Sequence, residues 1–442
     1  MSFPNPEPII IEEQNTVSEN KFSLNKINLR KLEWVTAYKD PYRFDELRVG
    51  EIYSLFNEIA HQKNISDIII QPDMPIMVKI KRKGLFAATH RSVDQMEATS
   101  IIKVLTDDPN AVSHALQGES KSGTARILDG ELVDLHNMEE YKDVTFPEKG
   151  RYRYELVGAR AFNKDSSFNM VLRPLPKEPL PYDKLNIPLS FVENFIIKDG
   201  IAIIAGATGE GKTTTLAAII RYIMEHDTII KGNIITHEDP VEISYDSIKS
   251  VHSYATQSAI GPHIRSFGDA NRAAMRRSPD LVLVGELRDS VTMESALELA
   301  VTGHPAFATV HANNVAAILP RLLSRFPNEL QSEKCFDIIA STRLLSSQKL
   351  IWTTQGKMMA VREALPITAE LKEYLLPLCK DPPLVIRKIT GIMDRGLFGV
   401  ESYSVQGKRL LDEGIIDMTN YQYLTADSQQ FDKEVIDELD LI

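Results

Sequence analysis

The chain has 442 residues, 43% apolar and 25% charged, with a net charge of −11 and a pI near 5.5. That length predicts two domains plus tails, and the composition is that of a globular protein with a sizeable core. It excludes a membrane-spanning helix, because no run approaches the ~18 uninterrupted apolar residues one needs, and the acidic balance argues against a general nucleic-acid surface, though not against a local basic groove.

In chain order, the N-terminal text MSFPNPEPIIIEEQN lacks the basic and apolar regions of a signal peptide, so a cytoplasmic location is expected. Residues 1–45 are charged and weakly periodic and read as an arm. Leu47 to His61 predicts a short helix, and SDIIIQPDMPIMVKIKRKG (66–84) two strands around a proline-containing turn. Ser92, with Gln95 three residues on, predicts a capping box. The helix behind it carries Ala98, Ile101 and Leu105 on one face. RYRYELVG (151–158) and FNMVLRPL (168–175) predict further strands, so 46–172 reads as an α+β domain. Residues 173–188 hold five prolines in sixteen positions; proline fixes φ and stops helices, which predicts a semi-rigid linker.

Beyond the linker, apolar runs alternate with helical patterns. IAIIA (201–205), NIITH (233–237), DLVLV (280–284) and AFATV (306–310) are apolar at both parities, as strands buried on both faces of a mostly parallel sheet are. Lys212 to Glu225 predicts a helix with Leu216, Ile219, Ile220, Ile223 and Met224 inward. Residues 189–380 therefore read as an α/β domain. Cys335 and Cys379 form neither a disulfide framework nor a tetrathiolate zinc site. Residues 381–442 read as an irregular acidic extension; 412–442 hold nine carboxylates against one lysine, the composition of a solvated appendage. No internal repeat is visible.

Chemistry concentrates in the α/β part. GATGEGKT (206–213) matches G-x-x-x-x-G-K-[ST] at every fixed position and sits between a predicted strand and helix, the context the motif requires. Its backbone, from Gly206, Ala207, Thr208, Gly209, Glu210 and Gly211, would cradle phosphate oxygens. Lys212 would supply charge to the β- and γ-phosphates, the Thr213 hydroxyl would ligate Mg²⁺, and Thr214 is expected with them among the nucleotide-binding residues. The chemistry expected is ATP cleavage with Mg²⁺. LVLVGELRD (281–289) delivers Glu286 at a strand end, where a carboxylate can hold the metal shell or activate water; Gly285 stands where many such proteins have an aspartate. IITHEDPVE (234–242) ends in Glu238, Asp239 and Glu242. TGHPAFATVHANN puts His304 and His311 at the two ends of one strand.

These four segments together resemble the PilT/secretion-ATPase family of type II and type IV secretion and pilus motors. In that family's terms they are Walker A, Asp box, Walker B and His box. The resemblance runs from about Ser66 to Leu365, and its detail is most similar to the DotB/TraJ-type ATPases of type IVB secretion and conjugation. It implies a PAS-like N-terminal domain joined to a RecA-like P-loop ATPase domain. It implies Glu242 as general base, Glu286 as the Walker-B glutamate, His304 and His311 as the His-box pair, and Arg288 beside the Walker-B glutamate. Arg151, Arg153 and Arg173 match arginines that reach a neighbour's nucleotide. The text LVGARAFNKDSSFN separates Arg153 from Arg173 unusually, leaving open the register of Arg160 and which arginine is the finger. The tetracysteine zinc element of pilus-assembly relatives is absent from the sequence. A homohexameric ring is implied, docked through cytoplasmic-face components of a secretion or pilus complex at the inner membrane, with no direct nucleic-acid binding. A RecA-like DNA-translocating motor is the alternative; the low pI and lack of an aromatic, basic strand-binding stripe weigh against it. A small-molecule kinase would need a lid and acceptor pocket, which the sequence does not offer.

Overall fold

The computed structural model describes residues 30–31, 49–60, 65–80, 84–89, 91–128, 148–161 and 164–426. The predicted arm, apart from Arg30 and Lys31, and the acidic residues after 426 lie outside them. Among the described residues, two seven-stranded sheets organise the chain.

The first contains β1 (Arg30–Lys31), β2 (Ile65–Ile70), β3 (Met77–Ile80), β4 (Gly84–Ala87), β5 (Lys121–Leu128), β6 (Glu148–Ala161) and β7 (Lys164–Leu175), in the order β1-β4-β3-β2-β7-β6-β5. Helices α1 (Val49–Ala60), α2 (Gln95–Thr106) and α3 (Ala111–Leu116) pack on it. Their Ile52, Phe56, Ile101, Leu105 and Val112 share a core with Tyr152, Tyr154 and Phe168 of the sheet. The predicted cap at Ser92 is displaced by two residues. Val93 is held extended by a bridge to Met74, so the helix begins only after it. Asp94 then accepts from the Glu97 amide at 2.9 Å while Glu97 accepts from the Asp94 amide at 3.0 Å, a complete capping box. The unusual spacing between Arg153 and Arg173 is a long hairpin: β6 and β7 pair antiparallel with Arg153 directly opposite Arg173.

Strand β7 absorbs the first residues of the proline-rich stretch, through Leu175. The rest lies on the following domain rather than bridging open space. Arg221 donates to the Pro179 carbonyl at 2.6 Å, Tyr182 meets Tyr222 edge-on at 5.3 Å, and Ile187 is buried.

The second sheet contains β8 (Gly200–Ala205), β9 (Asn233–Glu238), β10 (Tyr254–Ala259), β11 (Leu281–Val284), β12 (Pro305–Val310), β13 (Thr342–Trp352) and β14 (Met358–Pro366), in the order β10-β9-β11-β12-β8-β13-β14. Every neighbouring pair is parallel except β13 with β14. Helices cover both faces, which is why β8, β11 and β12 are buried at every position. On one face, helix α5 (Lys212–Glu225) buries Leu216, Ile219, Ile220, Ile223 and Met224 with Phe191 and Phe195 of the α4 (Leu189–Glu193) region. Helices α6 (Phe267–Ala274), α7 (Ser290–Val301), α8 (Ile318–Leu323), α9 (Gln331–Ser341) and α10 (Ala369–Leu375) contribute to the core of the other face. This is a RecA-like α/β domain.

The C-terminal expectation needs correction. Helix α11 (Pro382–Arg395), capped by Asp381 and ended by Gly396 in the left-handed region, buries Val385, Ile389, Ile392 and Met393 in the main core beneath the sheet. Helices α12 (Tyr403–Asp412) and α13 (Met418–Thr425) follow, and Tyr403, Ile416 and Leu424 pack with Ile351 and Val361 of β13 and β14. Residues 382–425 are thus part of the folded body. Spaced single apolar residues on short amphipathic helices bury well while leaving the composition polar; that is why charge counting misread them.

Candidate functional site

The parallel strands β8, β9, β11 and β12 end together, and their carboxyl ends are where an α/β sheet presents ligands. The Gly206 amide donates to Val310 O at 3.3 Å, Gly285 to His237 O at 2.8 Å, and Leu287 to Thr309 O at 2.9 Å. These cross-links carry the strand register past the sheet and fix the emerging loops relative to one another.

The loop after β8 has the conformation its glycines require. A Cβ on Gly206 would stand 2.7 Å from the Gln348 carbonyl, so no side chain fits there. Gly211 takes φ 78°, ψ 19° as the cap of α5. Ala207, Thr208 and Gly209 are exposed between them, while Thr213 and Thr214 are half-buried on the first turn. Lys212 is buried, and its Nζ donates to the carbonyls of Gly206 at 2.6 Å and Ala207 at 3.0 Å. Burial pushes its pKa down, opposed by the charges of Glu286 and Glu210. A cation held only by loop carbonyls at a helix N-terminus is primed for a polyanion.

Glu286 lies beside it. Arg288 Nε donates to Glu286 Oε2 at 2.7 Å, and Arg288 also donates to Asp239 Oδ2 at 2.8 Å. His311 Nε2 is 3.2 Å from Glu286 Oε1. Burial and the Lys212 charge hold the His311 pKa down, against the pull of Glu286 and of a hydrogen bond with the Gly206 backbone. Glu286, Arg288, Asp239 and His311 therefore form one network around Lys212, drawn from the ends of β9, β11 and β12. Gly285 is explained by the same crowding: a Cβ there would meet His237 O at 2.7 Å, leaving no room for an aspartate.

The remaining Asp-box carboxylates divide. Glu238 is buried, accepts from Thr236 Oγ1 at 2.6 Å and Gln257 Nε2 at 3.1 Å, and burial pushes its pKa up to about 6. Glu242 faces outward and accepts from an Arg153 guanidinium N–H at 3.1 Å. Arg153 thus reaches across from the first sheet to the ATPase domain of its own chain. Arg151 sits two residues away on the same face of β6, opposite Arg126 and Leu175. Arg173 instead donates to Asp67 at 3.0 and 3.1 Å within its own domain. His304 departs from expectation. It precedes β12 at the edge of the sheet remote from the P-loop, with its Nδ1 3.0 Å from Thr302 Oγ1. The six residues of β12 separate it from His311, about 20 Å at strand rise. Within this chain it does not join the network, because a strand's two ends open on opposite edges of the sheet.

Sequence reasoning missed the support beneath the loop. Gln348 of β13 donates to the Glu210 carbonyl and accepts from Thr215 Oγ1 and Arg362 Nε, each at 2.8 Å. Thr309 Oγ1 donates to the Gly285 carbonyl. A signal existed: Ser346, Ser347, Gln348 and Lys349 are four consecutive polar residues between Leu344–Leu345 and Leu350–Ile351, all buried, and buried polar groups are present because they are bonded.

These residues fit a nucleoside triphosphate: an exposed loop turned at Gly206, where no side chain fits, a helix N-terminus and a buried ammonium. Among the described residues no group of three or more His, Cys, Asp or Glu is placed to hold a metal by itself. The Thr213 hydroxyl on the first turn and the Glu286 carboxylate beside Lys212 are of the kind that fit a metal arriving coordinated to phosphate. Among the described residues no helix is long and apolar enough to cross a membrane.

Comparison with known proteins agrees with this geometry. Residues 183–370 match the model of the type II/IV secretion system protein family. The chain is 37% identical over 205 residues to the uncharacterized protein YggR of Escherichia coli K12, covering 46% of this chain and 61% of that one. It is 28% identical over 294 residues to the type IV pilus retractation ATPase PilT of Pseudomonas aeruginosa, covering 65% and 82%. The X-ray structure of the ATPase DotB of Yersinia pseudotuberculosis superimposes with a TM-score of 0.72 at 32% identity, covering 91% of this chain and 99% of that one.

Proposed function

The chain belongs to the type II/IV secretion and pilus ATPase family, and we propose that it hydrolyses ATP as the motor of a type IV secretion machine, of the type IVB or conjugation kind. The observation that carries this reading is the network of Lys212, Glu286, Arg288, Asp239 and His311 at the mouth of the P-loop. The likeness to DotB over nearly the whole of both chains supports the type IVB assignment.

In this reading the loop amides and Lys212 bind the phosphates, and Thr213 with Glu286 holds the metal shell. The bound Mg²⁺ supplies charge neutralisation on the phosphates. Glu242 is the general base: Asp239, equally exposed, is held by Arg288, and Glu238 is fixed inside by Thr236 and Gln257. Arg288 holds Glu286 and Asp239 in place. Arg153, and behind it Arg151 and Arg173, form a basic face turned toward a neighbouring subunit's nucleotide in a homohexamer. The Arg153–Glu242 contact supports an exchange in which Arg153 leaves its own carboxylate for a neighbour's phosphate as the domains rotate. We place the ring in the cytoplasm, peripheral at the inner membrane through its secretion complex. Phosphate release by the purified chain with and without Mg²⁺, in the absence of DNA, tests the reading. Hydrolysis seen only with single-stranded DNA, and suppressed by salt, would favour a DNA motor instead.

A further inference from the structure

Glu210 is an unexpected residue in the middle of a phosphate-binding loop. A carboxylate there carries the same sign as the ligand, one residue before the Gly211 cap and two before Lys212. The structure turns it away. Its side chain is buried, and Oε2 accepts from the backbone amide of Leu350 on β13. Its Oε1 accepts from the hydroxyl of Tyr423, 213 residues away on α13. The Glu210 carbonyl accepts from Gln348. The loop is therefore fastened from behind at three points, one of them contributed by the last described helix.

That helix is itself seated by β13. Lys349, buried, donates from Nζ to the carbonyls of Leu424 at 3.1 Å and Tyr423 at 3.4 Å. Its ammonium lies over the rings of Tyr403 and Tyr423, at 5.0 and 5.4 Å. Ser347 Oγ, two residues back, donates to Glu363 at 3.0 Å and lies 2.8 Å from the Tyr403 hydroxyl. Trp352 N donates to Asn420 at 3.1 Å. Residues 347–352 thus work in two directions, toward the P-loop through Gln348 and the Leu350 amide and toward α12 and α13 through Ser347, Lys349 and Trp352.

We propose that Tyr423 is a positioning residue for nucleotide binding: its hydroxyl holds the Glu210 carboxylate out of the phosphate cradle, so that the seating of the C-terminal helices sets the affinity of the P-loop. This rests on the reading of the loop as an ATP site and adds a regulator to it. With α13 seated, Glu210 is tied back and its charge reaches Lys212 only from the side. With α13 displaced, the carboxylate keeps only the Leu350 amide, and that single bond leaves it able to turn toward Lys212 and compete with phosphate for that cation. Movement of α13 by a docking partner would then be felt as a change in nucleotide affinity.

The test is a double-mutant cycle on the full chain, reading the Kd of a fluorescent ADP and of a non-hydrolysable ATP analogue with Mg²⁺ at low and high salt. Thermal melts accompany each variant. Tyr423→Phe keeps the ring over Lys349 and removes only the hydroxyl. The expected result is about tenfold weaker binding, the size of one charge-assisted hydrogen bond, with no large fall in Tm. The loss should shrink at high salt, as a like-charge repulsion does. In the Glu210→Gln background the same change should cost less than about twofold, because no charge remains to be held back. An equal loss in both backgrounds, or one unaffected by salt, would mean that Tyr423 acts only in packing and would overturn the proposal. Unchanged binding by Tyr423→Phe, alongside tight binding by the wild type, overturns it too while leaving the ATP site standing. A wild type that binds neither nucleotide overturns both.

Discussion

Arg153→Ala separates two roles by size alone. In this chain Arg153 donates to Glu242 at 3.1 Å, and the two side chains are 39% and 31% exposed. A pair that open to water is worth about 0.2–1 kcal/mol, so losing it as a local contact changes any rate or equilibrium by no more than about fivefold. An arginine that stabilises charge on a neighbour's γ-phosphate is worth about 10³-fold or more in kcat, roughly 4 kcal/mol. The weakness of the contact is what makes the second role accessible, since little is lost when Arg153 leaves Glu242. The assay is steady-state phosphate release by the assembled protein, with nucleotide binding measured separately. Arg153→Ala is expected to bind ATP normally and turn over at least 10³-fold more slowly. Mixing it with Lys212→Ala, also inactive alone, should restore part of the activity, because an interface site can take its P-loop from one subunit and its arginine from the other. A fall of fivefold or less, or no recovery in confirmed mixed oligomers, would refute the role in trans.

Three further outcomes are expected. Glu286→Gln keeps shape and one acceptor for Arg288 but removes the charge, and should bind ATP while hydrolysing it about 10²-fold or more slowly; Glu242→Gln should do the same if it is the base, measured as single-turnover phosphate release. Removing residues 427–442 should leave hydrolysis intact, whereas truncation before Met418 also takes the Tyr423 and Leu424 carbonyls from buried Lys349 and should lower stability by about 1–3 kcal/mol in a urea melt. The pH dependence has opposed parts. Glu238, raised from 4.5 to about 6, binds more protons folded than unfolded, so its contribution to stability is present below 4.5 and lost as pH rises through 6. His237, lowered from 6.5 to about 4 by burial, contributes the reverse, with stability present above 6.5 and lost as pH falls through 4. Glu238→Gln should therefore gain stability relative to wild type as pH climbs from 4.5 to 6; a flat difference across that range would contradict the burial argument.

The P-loop and the strands around it were legible because local and global signals coincide there. The motif fixes glycines that the backbone needs, as the clash at Gly206 shows, and the flanking runs are apolar at both parities as buried strands must be. Glu286 and His311 follow from strand ends on the same edge of the sheet. His304 lies at the other end of the strand from His311, as the sequence indicates, and the pairing of the two that the resemblance implies is not a contact within one chain. The capping box of α2 was present but shifted, since the bridge of Val93 to Met74 is a long-range contact that local spacing does not encode. Least legible was the far end of the chain. The contact of Tyr423 with Glu210 spans 213 residues, and nothing in the composition of an acidic stretch reveals that one of its tyrosines meets the phosphate loop. The buried polar run at 346–349 was the available clue to both.

The most direct measurement of the central claim is phosphate release by the wild-type chain and by Lys212→Ala, each with and without Mg²⁺, with melts to show that both are folded. Magnesium-dependent hydrolysis by the wild type, and none by a folded Lys212→Ala that has also lost nucleotide binding, is the predicted result. Hydrolysis by the variant near the wild-type rate would show that the loop at 206–213 is not where ATP is cleaved.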